Sequence, residues 1–119
     1  MKQLKIDIVE TKHYLSELST VTHKGLNEHD LRDGIKQCII QDPLIGDIIP
    51  RAGGVRKFRY AMPGKGKSGG FRVIYYFFDM IHPVYLLTIY SKARIENLTP
   101  KEERQFFEVA KQLKSIFKK

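Results

Sequence analysis

Cysteine occurs once in the 119 residues, at Cys38, so no internal disulfide can staple the chain and a hydrophobic core has to hold it together. The length suffices for one such core, and no repeat, low-complexity tract or linker divides residues 1–119, so a single domain is expected. No apolar run approaches the roughly 18 residues of a membrane-spanning helix. The longest, Val73 to Phe78, has the composition of a strand. The opening Met1-Lys2-Gln3-Leu4-Lys5-Ile6-Asp7 lacks the apolar block and small-residue cleavage site of a signal peptide, which makes the cytoplasm the expected compartment and a membrane partner unexpected. His13, His23, His29 and His82 are scattered with no pair at zinc-ligand spacing, so neither a metal nor a cofactor is expected. His82, beside Pro83, reads as a turn residue and as a minor candidate for proton transfer.

The most informative absence is acidic. From Ile48 to Phe78 there is no Asp or Glu, while Arg51, Arg56, Lys57, Arg59, Lys65, Lys67 and Arg72 surround the turn Pro63-Gly64-Lys65-Gly66-Lys67-Ser68-Gly69-Gly70. Cations without counter-charges repel one another, and a bound phosphate backbone is the simplest relief. The whole chain leans the same way, with 21 Lys+Arg against 13 Asp+Glu and a formal charge of +8. Nucleic acid is therefore favoured over an acidic small molecule.

Hydrophobic periodicity orders the elements. Leu4, Ile6 and Ile8 alternate with Lys5 and Asp7 as in a half-buried strand, and Thr11 to Leu18 reads as a short helix. Asn27 can cap a second helix whose Leu31, Ile35, Cys38 and Ile39 share a face, and Asp42-Pro43 ends it. Val55 to Met62, Phe71 to Phe78 and Val84 to Tyr90 then read as three consecutive antiparallel strands. Thr99-Pro100-Lys101-Glu102 is a helix start, followed by Phe106, Ala110, Leu113 and Phe117 at helical spacing. The expected fold is α+β: an N-terminal strand and two helices packed on a twisted antiparallel sheet, with a C-terminal helix.

Strand alternation sorts the cations. Lys57 and Arg59 fall on one face of the first meander strand, about 7 Å apart, opposite to Phe58 and Tyr60. A hairpin connection sets Arg72 beside them, and the plain alternative is a solubilised sheet face. The segment Ala61 to Ser68 matches a relaxed nucleotide-binding loop, but Phe71-Arg72-Val73-Ile74-Tyr75-Tyr76 follows it as a strand, not the helix whose N-terminus such a loop requires. ATP and GTP binding are rejected on that ground. Lys65 and Lys67 instead read as point charges on a hairpin tip that reaches phosphates.

Gly53-Gly54-Val55-Arg56-Lys57-Phe58-Arg59, the tip Gly64 to Gly70, Phe71-Arg72-Val73-Ile74-Tyr75-Tyr76 and Leu86-Leu87-Thr88-Ile89-Tyr90-Ser91-Lys92 together resemble the RelE/ParE superfamily of bacterial toxins, most closely its HigB-like branch. The resemblance implies a type II toxin-antitoxin toxin that enters the ribosomal A site, against rRNA, and cuts mRNA there without a metal. In that chemistry the ribose 2′-hydroxyl attacks the adjacent phosphorus and leaves a 2′,3′-cyclic phosphate. It also implies a cognate antitoxin, often with a helix-turn-helix DNA-binding domain. Matched residue by residue, Lys57, Arg59 and Arg72 fall on the family's basic strand positions. Lys57 is the candidate for deprotonating the 2′-hydroxyl, because neighbouring cations disfavour its charged form, while Arg59 and Arg72 hold the phosphate. Lys92 joins them as a candidate for balancing the leaving oxygen. Arg56, Lys65, Lys67 and Arg94 are expected to bind RNA, and Tyr90 to stack on a base. Ala93 stands where RelE-type members carry arginine, and no tyrosine follows Tyr90. Two alternatives stay open: a ParE-like DNA gyrase inhibitor on the same fold, and a catalytically inactive RNA-binding module.

Overall fold

In the computed structural model, which describes residues 5–22, 26–61, 70–91 and 98–118, each helix begins where a side chain closes its first turn. Thr11 accepts the Tyr14 N–H ahead of α1 (Lys12–Val21), and Asn27 accepts the Asp30 N–H ahead of α2 (Glu28–Gln41). Thr99 and Glu102 close the full reciprocal box ahead of α3 (Pro100–Phe117), with Pro100 in the first turn. The strands are β1 (Ile8–Glu10), β2 (Asp47–Ile48), β3 (Val55–Tyr60), β4 (Phe71–Tyr76) and β5 (Val84–Ser91).

The expected meander of β3, β4 and β5 forms the centre of one sheet, in the order β1-β5-β4-β3-β2. The sheet is nevertheless mixed rather than antiparallel, because β1 pairs parallel with β5, Ile8 opposite Val84 and Glu10 opposite Leu86. Thr11 secures that pairing while it caps α1: its Oγ1 donates to the Leu86 carbonyl at 2.7 Å. Two segments so far apart in sequence carry no local signal of their mutual direction. The edge strand β2 was not anticipated either, and with two residues it is too short to show a period.

Helices cover both faces. On one, Tyr14 and Leu18 of α1 and Leu31, Ile35 and Ile39 of α2 bury themselves against Phe58, Tyr60, Val73, Tyr75, Leu86 and Ile89. Removal of each such side chain from water contributes about 1.5–3 kcal/mol, so this layer dominates folding. On the other face, α3 is bound more thinly. Ala110 is its buried residue, and Phe106, Leu113 and Phe117 lie half-buried against Val55, Ile74, Tyr76, Leu87 and Tyr90. The turn before β3 makes this approach close: Gly53 has φ +70°, and a Cβ there would lie 3.2 Å from the Phe107 ring and 3.3 Å from the Ala110 Cβ.

A bulge in β5 sets which side chains share a face. Ile74 pairs with Thr88 but Tyr75 pairs with Leu86, which leaves Leu87 as an extra residue. Val84 and Leu86 therefore face α1 and α2, Leu87 turns to α3, and the two later positions Ile89 and Tyr90 are exchanged relative to strict alternation. Tyr90 thereby joins the face that carries the basic residues.

Candidate nucleic-acid interface and active site

The ladder brings three of the expected residues together. Arg59 lies directly opposite Arg72 across β3 and β4, and Arg72 lies opposite Tyr90 across β4 and β5. One row away on the same face, Lys57 lies opposite Ile74. Directly opposed residues in an antiparallel pair hold their Cβ atoms about 4.5–5.5 Å apart, so Arg59 and Arg72 are adjacent cations and Lys57 completes a triangle. Two like charges placed side by side are destabilising unless an anion sits between them.

Burial grades the cluster. Arg59 is exposed and Lys57 half-buried, while Arg72 sinks far enough that its Nη1 is buried with no hydrogen-bond acceptor among the described residues. A buried guanidinium nitrogen of this kind is costly to leave unmatched, and a phosphate oxygen is the acceptor it fits best. Gly70, which precedes β4, permits a close backbone approach: a Cβ there would lie 3.1 Å from the Tyr60 carbonyl oxygen.

Other residues go elsewhere. Arg56 alternates to the opposite face, where its Nη1 donates to the Gly46 carbonyl at 2.7 Å, so it is separated from Lys57, Arg59 and Arg72 by the sheet. Tyr90 is only 4% exposed and belongs to the core under α3, so its ring supplies a wall beside Arg72 and presents no open face to a base. Lys65, Lys67, Lys92 and Arg94 lie outside the described residues. His82 is remote. It sits in the β4–β5 connection, before the start of β5, which is itself about 20 Å from Tyr90 at 3.3 Å per residue, and it is bound to Asp79 at 2.9 Å and stacked on Phe117. Among the described residues no group of three or more His, Cys, Asp or Glu comes together as a metal site, and no helix is long and apolar enough to cross a membrane.

The acid-free stretch is less lonely in space than in sequence. Arg51, at φ +62° in the turn before β3, pairs with Glu103 of α3 at 3.2 Å. Asp47 of β2 lies directly opposite Lys57 and shares its face. Both carboxylates come from outside Ile48 to Phe78, which is why inspection of the stretch missed them. The bulge was also missed, although it leaves a trace: Leu86-Leu87-Thr88-Ile89 is a strand segment without alternation.

Burial pushes the Tyr60, Tyr75 and Tyr76 hydroxyls above the usual phenol range, so they stay protonated at neutral pH. What this face presents is a cluster of two arginines and one lysine suited to gripping a polyanion. The family model described as the RelE toxin of the RelE / RelB toxin-antitoxin system matches residues 21–119, which takes in α2, β2–β5 and α3 and leaves out only β1 and most of α1. With the basic triangle on that shared sheet, the chain belongs to the RelE toxin family, and its partner is an antitoxin.

Proposed function

We propose that this toxin is a ribosome-dependent endoribonuclease of the HigB-like branch, acting in the cytoplasm, which cleaves mRNA in the A site, without a metal, and so stops translation. The carrying observation is the opposition of Arg59 and Arg72 across β3 and β4, with Lys57 on the same face and a buried Arg72 Nη1 that has no acceptor among the described residues. Arg59 and Arg72 hold the non-bridging oxygens of the scissile phosphate and neutralise the charge that builds on the pentacoordinate phosphorane. Lys57 is the member of this triangle assigned to take the proton of the 2′-hydroxyl as that oxygen attacks phosphorus. The P–O5′ bond breaks, leaving a 2′,3′-cyclic phosphate and a 5′-hydroxyl. Lys92 is the candidate for protonating the departing oxygen. Lys65, Lys67 and Arg94 add phosphate contacts and Arg56 holds β2, while Tyr90 positions Arg72 from below. The proposed antitoxin carries a helix-turn-helix domain.

The test is primer extension on a defined mRNA incubated with the protein, with and without programmed ribosomes, the ribosome-free arm in EDTA. Cuts confined to the A-site codon in the ribosome arm are expected. Uncut mRNA with folded protein overturns the proposal, and a DNA supercoiling assay then tests gyrase inhibition.

A further inference from the structure

Charge is divided unevenly along the chain. Residues 1–48 hold six Lys or Arg against eight Asp or Glu, whereas residues 49–119 hold fifteen against five. The basic triangle lies on the α3 side of the sheet and α1 and α2 on the other, with Asp47 crossing to the face of Lys57 and Arg56 to the face of Ile48. On the acidic side, Ile40, Leu44, Ile45 and Ile48 are all exposed within nine residues, Leu44 at 55% and Ile48 at 57%. Asp42 lies within this group, Asp33 lies two turns before Ile40 on the same stripe of α2, and Lys36 between them is paired with Glu10 at 3.4 Å.

This exposure is built rather than incidental. The buried Tyr75 hydroxyl donates to the Pro43 carbonyl at 2.7 Å and accepts the Gly46 N–H at 2.9 Å. Arg56 holds the Gly46 carbonyl, and Asp42 accepts the Leu44 N–H at 3.1 Å. A connection clamped at four points keeps its aliphatic side chains outward, since turning them in would break those bonds. Ile48 also lies on β2, the open edge of the sheet. Ile49 donates to Val55 in the ladder at 2.9 Å, so alternation points the Ile48 N–H and C=O away from β3.

We infer that this patch is the anchoring surface for the antitoxin, and that the anchoring segment is extended, apolar and cation-bearing. Apolar side chains on it cover Ile40, Leu44, Ile45 and Ile48, and its cations meet Asp33 and Asp42. A nucleic-acid strand is repelled by the same carboxylates, and a two-fold contact between copies would oppose Asp42 to Asp42. The anchor lies across the sheet from Lys57, Arg59 and Arg72, so antitoxin capture and toxicity are separable by mutation. The antitoxin partner comes from family membership and does not depend on the cleavage chemistry.

The experiment uses the antitoxin encoded beside the toxin. Leu44→Lys, Ile48→Lys and the double variant are expected to remain toxic, to escape rescue by co-expressed antitoxin, and to bind purified antitoxin on the order of 30-fold more weakly for the double variant. Asp33→Lys should flatten the salt dependence of the wild-type Kd, and Ile81→Lys, at an apolar site 87% exposed on the β4–β5 connection, should leave the Kd unchanged. A folded double variant whose Kd stays within about threefold of wild type overturns the inference. So does wild-type self-association that the double variant abolishes, which would make the patch a contact between copies. Wild-type protein that binds antitoxin through the patch but cuts no mRNA sinks the nuclease proposal and leaves the anchor standing. Should the double variant fail to fold by circular dichroism, the Kd of Leu44→Lys alone decides.

Discussion

Replacing Arg72 by methionine should move activity and stability in opposite directions. Met keeps most of the aliphatic stem that lies between Arg59 and Tyr90, so little packing is lost. It removes a buried nitrogen with no acceptor among the described residues, whose unmatched desolvation costs about 1–3 kcal/mol. It also removes a like charge directly opposite Arg59, which relieves up to about 1 kcal/mol. Folding should therefore gain about 1–4 kcal/mol, and a chain of this size should melt several degrees higher. Cleavage should fall on the order of 10²- to 10³-fold, because one donor to the developing charge is gone. Thermal melts followed by circular dichroism and ribosome-programmed primer extension read the two effects on one preparation. A lower melting temperature with a matching loss of activity would refute the reasoning, since Arg72 would then be a structural residue. Undiminished cleavage by the folded variant would refute it from the other side.

Tyr75→Phe should cost about 2–4 kcal/mol in denaturant unfolding, because it strands the Gly46 N–H and the Pro43 carbonyl at once; a change below about 0.5 kcal/mol would mean that neither bond matters. Gly34→Ala should destabilise by about 1–3 kcal/mol, since its Cβ would overlap the Tyr60 hydroxyl, and Tyr60→Phe should rescue part of that loss in a double-mutant cycle. Glu10 accepts from Arg32 at 2.9 Å, and that hydrogen bond, with Lys36 nearby, holds its carboxyl below the usual carboxylate range despite partial burial. A depressed folded-state value means stability that is fully present above the unfolded value, about 4.3, and is lost as pH falls through the folded one. The gap between melting curves of wild type and Glu10→Gln should thus be full at neutral pH, begin to close as pH falls below about 4.3 and vanish below the folded-state value; a constant gap would assign the difference to packing.

Much of the fold was legible because its signals are local. Capping residues act within one turn: the second and third helices start behind the expected Asn27 and Thr99, and Thr11, read as the first residue of its helix, is the cap of α1. The aromatic and β-branched runs became β3, β4 and β5, with ends moved by one or two residues. The adjacency of Lys57, Arg59 and Arg72 followed from period-2 alternation and a hairpin connection, both short-range rules. Arg56 shows the limit of charge counting: alternation alone puts it on the opposite face from Lys57, and its bond to Gly46 gives it an occupation that composition cannot reveal.

By itself, then, the sequence determined the three helices and every strand but β2 in their order, and a basic strand face suited to a phosphate backbone, since each depends on side chains a few residues apart. The tertiary structure decided how distant pieces meet. It made β1 parallel to β5, set Asp47 opposite Lys57, and paired Arg51 with Glu103. It also placed a bulge at Leu87 that carries Tyr90 to the face of Arg72, and buried that ring under α3. Those outcomes depend on the register and packing between segments remote in sequence, where the free energy belongs to the pair and neither partner carries it alone.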